Sequence, residues 1–273
     1  MRACVDPCVL VTMVQSHPRV LLMSDYDGTL VPLAPRPDQA RPSARLLRLL
    51  QHLSSKPGLH LAIISGRSVG DLCSLLPLPK AILAGTHGRI LALPATDRTG
   101  ARPQIKLGRP GPGREVWEHL VSLARRLSAG VAGVWLEDKG EAIALHYRQA
   151  DTAQAYGLIE SFKREIEPWL HAHDLELLQG RKVLEVRPRG VHKGLAVEYL
   201  SNLYPWALPV YLGDDLTDED AFRALEGKGL TVLVGPERPS WAKFRLPSPV
   251  AVQKFLSLLS VPKLPYVYHT LFR

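Results

Sequence analysis

Three cysteines in 273 residues, Cys4, Cys8 and Cys73, are too few for a disulfide framework, and no companion cluster of cysteine or histidine surrounds them to hold zinc. The expected setting is a reducing cytoplasm. Long apolar runs are also missing; none approaches the ~20 residues a membrane span requires. The opening stretch MRACVDPCVLVTMV has a weak basic flank, no small-residue cleavage site, and carries Asp6 and Pro7. It reads as a loose extension rather than a signal peptide. Aromatic residues make up 7% of the chain and are not interleaved with basic ones. The net charge of +8 is spread along the chain without a run of five like charges. A diffuse positive field without a basic face argues against nucleic acid and suits a small anionic substrate.

What the chain does have is a series of short apolar segments that end in small or polar residues: VLLMSD, LHLAIIS, AILAGTHG and ALPVYLGDD. Helical patterns such as SARLLRLLQHLSS separate several of them. Strand alternating with helix predicts an α/β fold, a doubly wound parallel sheet whose ligands gather at the carboxyl ends of the strands. The alternation breaks at LGRPGPGR. A helix, two strands, a long helix and two more strands follow before it resumes at GVHKGLAV. This predicts a core built from residues 1–102 and 189–273, with an α+β cap domain inserted at 103–188.

The polar clusters fall at the predicted strand ends. Asp25 and Asp27 follow VLLMS directly. In extended chain, residues two apart point the same way, so the two carboxylates would share one small volume and repel unless a cation intervenes. The calcium-loop pattern fails, because Leu30 and Arg36 stand where it needs Gly and Glu. Mg²⁺ together with a substrate phosphate fits better; the same hard oxygens accept Mn²⁺ or Co²⁺. A second acidic cluster, YLGDDLTDEDAF (211–222), follows another strand and would lie at the same edge. Ser65 and Arg67 in ISGR can meet an anion near a helix start, and Lys193 in HKG can neutralise a phosphoryl oxygen. Acid-rich turns and exposed helix-start lysines are ordinary singly; together, each at a strand end, they are not.

DYDGTL, ISGR, HKG and GDDLTDED resemble, in order, the four motifs of the haloacid-dehalogenase-like (HAD-like) phosphatase superfamily, which has a Rossmann-type core. The resemblance implies that Asp25 is the nucleophile and forms an aspartyl-phosphate. It implies that Asp27 is the general acid and then the base. Asp25, the Asp27 carbonyl oxygen and Asp214 would hold Mg²⁺, with Asp215 and Asp218 behind them, while Ser65 and Lys193 would bind phosphoryl oxygens.

In the predicted cap, WLEDKGEAIALHYR and GRKVLEVRP mix acids and bases on strands, as a sugar's hydroxyls require and as surface ion pairing also produces. The order E-x-K, H-Y-R, G-R-K-x-x-E-x-R-P, G-D-D-x-T-D-E-D-x-F resembles the trehalose-6-phosphate phosphatase family over about 240 residues. It implies hydrolysis of trehalose 6-phosphate, the last step of trehalose biosynthesis, with Glu137, Lys139, Arg148, Arg181, Lys182 and Glu185 contacting the sugar. The expected partner is a small sugar phosphate, not nucleic acid or membrane, and the expected state is a monomer or small homo-oligomer. Two other readings stand beside it. One is a phosphatase for sucrose, glucosylglycerol or mannosylglycerate phosphate. The other is a catalytically silent HAD-like regulatory subunit.

Overall fold

A computed structural model describes residues 4–95, 100–180 and 182–261. In chain order its elements are α1 (Pro7–Gln15), β1 (Val20–Ser24), α2 (Ala44–Ser54), β2 (Leu59–Ile64), α3 (Val69–Leu75), β3 (Ile82–Gly85), β4 (Ile90–Ala92) and β5 (Gln104–Lys106). Then come α4 (Arg114–Ser128), β6 (Trp135–Asp138), β7 (Ile143–His146), α5 (Thr152–Ala172), β8 (Leu175–Gly180) and β9 (Val183–Pro188). The chain continues through α6 (Lys193–Leu203), β10 (Leu208–Gly213), α7 (Glu219–Ala224), β11 (Leu230–Val234), β12 (Phe244–Leu246) and α8 (Pro249–Ser260). Among the described residues no helix is long and apolar enough to cross a membrane.

The strands form two sheets. The larger runs β12-β11-β10-β1-β2-β3-β4-β5 and is parallel from β12 to β3. Its last two strands pair antiparallel, because the turn after β3 is too short for a crossover helix and β4 doubles back. Strand β5 also belongs to this sheet, so the break between the two sheets falls after residue 106 rather than at 103. The smaller sheet, β6-β7-β9-β8, is wholly antiparallel and is covered by α4 and α5.

The period-two alternation of β1 explains its central place. Val20 and Leu22 enter the apolar cluster beneath α1, α2 and α8, whereas Leu21 and Met23 enter the one beneath α6 and α7. A strand apolar on both faces is stable only with helices on both. Registration aligns the strand ends: Ser24 lies opposite Leu212 on one side and Ile63 on the other. Asp25, Ser65 and Asp214 therefore leave the sheet at one edge.

Residues 7–15 are not a loose extension. Asp6 caps α1 by accepting from the Cys8 N–H at 2.7 Å, and Pro7 occupies the first turn, where its missing N–H costs nothing. Leu10, Val11 and Val14 are buried against α8. Asp6 and Pro7, which look like helix breakers in a linear reading, are its start signal. Leu10→Ala should destabilise the protein by ~2–4 kcal/mol, as a fully buried leucine does on truncation. Urea unfolding checks this; a loss below ~1 kcal/mol would mean that α1 is not part of the core.

Candidate active site

Desolvation governs the first carboxylate. Asp25 is 4% exposed at the end of an all-buried strand. Its Oδ1 accepts from Lys193 Nζ at 2.8 Å, and the same ammonium donates to Asp218 Oδ1 at 2.7 Å. Lys193 is the first residue of α6, which aims its side chain back under the sheet edge, and it is as buried as its partners. Asp218 accepts three further bonds: Tyr211 Oη–H at 2.6 Å, and the Asp214 and Asp215 N–H groups at 3.0 and 2.9 Å. With four donors its carboxylate is saturated.

Asp214 completes the cluster. One oxygen each of Asp25, Asp214 and Asp218 lie within 4.8 Å of one another. Thr29 Oγ1 donates to Asp214 Oδ1 at 3.1 Å. Gly28 turns the chain here at φ 85°, and a Cβ on it would sit 2.1 Å from Asp214 Oδ2, so only glycine fits. Burial, the first cause, with the neighbouring carboxylates pushes Asp25 well above the usual carboxylate range, against the pull of Lys193. Burial and Asp218 raise Asp214 to about 7. One lysine does not balance this cluster. Since Asp218 is saturated, Asp25 and Asp214 carry the oxygens left for a hard divalent cation, and the donor set suits Mg²⁺.

Asp27 lies elsewhere. The chain leaves extended geometry at Tyr26–Gly28, and the Asp27 carboxylate turns to Arg67 in a bidentate pair, 2.7 Å on both arms. The shared volume expected for Asp25 and Asp27 is instead shared by Asp25, Asp214 and Asp218. Arg67 also donates to Pro37 O at 2.7 Å and lies over the Tyr26 ring. Its guanidinium, expected at an anion, is thus bound to Asp27. Ser65 is buried beside it, its Oγ accepting from the Arg67 N–H. Asp215 is exposed; its N–H donates to Asp218 Oδ2, and its side chain closes a reciprocal capping box on the Asp218 N–H.

The residues expected on the sugar divide into two groups. Arg148 and Lys182 line a cleft of about 160 Å³ between the two sheets, together with Asp27, Leu33, Trp135 and His146. Arg148 also donates to Ala34 O at 2.9 Å, across the seam. Glu137 pairs with His146 at 2.8 Å, and the imidazole stacks on Trp135. Lys139 and Glu185 form a buried pair at 2.5 Å, and Glu185 faces His87 at 3.2 Å. Lys139 holds Glu185 far below its usual value despite burial, whereas burial lowers His87. Arg181 lies outside the described residues.

Several participants had no assigned part in the sequence reading. Tyr211 and Thr29 hold the two acids. Arg238 donates to the Asp214 and Asp215 carbonyls at 3.2 and 2.8 Å and pairs with Glu219, strapping the acidic loop. Thr29 sits in the DYDGTL motif, where its hydroxyl was visible; the Tyr211 and Arg238 contacts depend on packing alone.

With this geometry established, comparison with known proteins is informative. Residues 23–249 match the family model described as trehalose-phosphatase. A bifunctional trehalose-6-phosphate synthase/phosphatase of Thermoproteus tenax is 34% identical over 245 residues, 89% of this chain and 32% of that protein. Trehalose-phosphate phosphatase B of Arabidopsis thaliana is 30% identical over 253 residues, 88% of this chain and 66% of that one. The chain thus spans about a third of the first relative and just under two thirds of the second. The C-terminal domain of Candida albicans trehalose-6-phosphate phosphatase superposes with a TM-score of 0.80 at 28% identity, over 95% of this chain and 98% of that one.

The acid cluster predicts a pH dependence. Asp214, raised to about 7 from 3.8, keeps a proton in the folded state that the unfolded chain releases. Without metal, its contribution should therefore fall as pH rises from about 4 to 7, by on the order of 4 kcal/mol. Mg²⁺ should replace the proton and stabilise the protein more at pH 8 than at pH 5. Thermal unfolding with Mg²⁺ or EDTA measures both, and Asp214→Asn should flatten both trends. A Mg²⁺ effect independent of pH would contradict this account.

Proposed function

The chain belongs to the trehalose-phosphatase family, and from that membership we propose that it hydrolyses trehalose 6-phosphate to trehalose and phosphate. The observation that carries the reading is Asp25, buried at a strand end with Lys193 at 2.8 Å and Asp214 beside it. A nucleophilic carboxylate meets a phosphate dianion only where positive charge offsets both.

In the proposed mechanism an Asp25 oxygen attacks phosphorus. The bond from phosphorus to the sugar oxygen breaks, leaving an acyl phosphate on Asp25. Asp27 delivers its proton to the departing sugar oxygen, exchanging Arg67 for substrate as it does so. Asp27 then takes a proton from water, whose oxygen attacks phosphorus and releases phosphate and the free Asp25 carboxylate. Lys193 and the Ser65 hydroxyl face the phosphoryl oxygens. Asp25, the Asp27 carbonyl oxygen and Asp214 would hold Mg²⁺, which would supply Lewis-acid neutralisation of phosphate charge. Asp218 supports the site by orienting Lys193, and Asp215 by its capping box with Asp218.

We assign residues 107–188 the part of a cap over the core. The cleft between the sheets, about 160 Å³, is below the ~300 Å³ typical of small-molecule sites, so a disaccharide phosphate enters with the sheets further apart. Closing then excludes water and brings Glu137, Lys139, Arg148, Arg181, Lys182 and Glu185 to the sugar.

The test is phosphate release from trehalose 6-phosphate, sucrose 6-phosphate, glucose 6-phosphate and glucosylglycerol phosphate, with Mg²⁺ or EDTA. Turnover of trehalose 6-phosphate is expected, abolished by EDTA and reduced by a factor on the order of 10³ or more in Asp25→Asn. Preference for another ester would retain the core chemistry and overturn the substrate. Silence on every ester would favour a regulatory subunit.

A further inference from the structure

The turn Gly85–Thr86–His87–Gly88 has no part in the chemistry above, yet it is strained and buried. Thr86, His87 and Gly88 are consecutive left-handed residues, with φ of 51°, 54° and 86°. Two of them are not glycine, and such backbone persists only where its surroundings impose it. Here they do. The Thr86 N–H donates to Arg67 O at 2.7 Å and the His87 N–H to Ser65 O at 2.9 Å. A Cβ on Gly66 would lie 2.8 Å from His87 Cε1, so the imidazole rests against Gly66 itself.

The other side of the ring faces the smaller sheet. His87 Nε2 stands 3.2 Å from Glu185 Oε1, and Glu185 Oε2 accepts from Lys139 Nζ at 2.5 Å. His87 is 7% exposed and Glu185 4%. Despite this burial, among the described residues His87 Nδ1 has no hydrogen-bond partner, and Glu185 Oε1 meets the ring without hydrogen-bond alignment. Buried polar atoms left in this state are costly and mark a site that a ligand's donors and acceptors would complete. Packing alone would not call for three ionisable groups at this seam.

We propose that His87 is a positioning residue that determines sugar specificity: it holds Glu185, and through it Lys139, against the Ser65–Gly66–Arg67 turn, so that the cap's polar groups come into register with the phosphoryl site only when the two sheets are together. The proposal rests on the trehalose 6-phosphate reading and deepens it. His87 touches the phosphate-binding turn on one face and the cap's ion pair on the other. A substrate that needs both halves depends on it, and one that occupies only the core depends on it far less.

The test compares wild type, His87→Ala and His87→Asn on trehalose 6-phosphate and on p-nitrophenyl phosphate, which carries no sugar, with Mg²⁺ present. In His87→Ala, kcat/KM for trehalose 6-phosphate should fall about tenfold to hundredfold more than for the aryl ester, chiefly through KM, as leaving the buried Glu185 carboxylate without its neighbour predicts. Asparagine tolerates the left-handed backbone and offers an amide donor, so His87→Asn should recover part of the loss. Equal losses on both substrates, or a loss in kcat alone, would overturn the proposal and leave His87 a structural turn residue. If His87→Ala does not fold, His87→Gly, which suits the left-handed backbone and offers no side-chain donor, decides in its place: parity with wild type on the ratio of the two substrates overturns the proposal. Wild-type protein that cleaves the aryl ester but not trehalose 6-phosphate removes the substrate reading, and this proposal with it.

Discussion

A carboxylate at the end of a buried strand is unfavourable unless something positive is buried with it. The whole sheet edge follows from that constraint. Lys193 satisfies Asp25 but is itself a buried charge, so it needs Asp218; Asp218 in turn needs the Tyr211 hydroxyl and two backbone N–H groups. Breaking one link leaves an uncompensated charge, at a cost of about 3–5 kcal/mol. The acids still outnumber the lysine. The excess sits on Asp25 and Asp214, whose oxygens lie within 4.8 Å of one another and of Asp218.

The second aspartate is managed differently. Asp27 is partly exposed, and Arg67 holds it with both arms. This separation gives the two carboxylates of one short motif distinct surroundings. Asp25 is fixed within a low-dielectric cluster, whereas Asp27 has a partner it can exchange at the rim of the cleft.

Much of this was legible in the linear chain, for identifiable reasons. Strand ends were visible because a period-two apolar run cannot continue through Asp25, Ser65 or Asp214. Lys193 stood out by its place at a helix start. Less was visible where the contact is made across the fold. Nothing in residues 25–27 indicates that Arg67 will take one of the two carboxylates, since that depends on the chain turning at Gly28. The hydroxyl of Tyr211 reads as one more apolar strand position, and its bond to Asp218 exists only because the acidic loop folds back over β10. Residues 7–15 read as a loose extension because the helix-starting role of Asp6 and Pro7 is apparent only when α8 supplies a surface for the helix to bury.

The order of strands in the larger sheet has a further consequence, for how the protein is made. Strand β1 lies between β2, which follows it closely, and β10, whose first residue is Leu208. Its α1 neighbour waits for α8, which begins at Pro249. The smaller sheet, by contrast, is contiguous in sequence from Trp135 to Pro188. During synthesis from the N-terminus, the smaller sheet has all its strands while β1 is still half paired, with an apolar face and the carboxylate of Asp25 uncovered. Lys193 leaves the ribosome before β10 does, so the charge that Asp25 requires is present before the strand that buries it arrives.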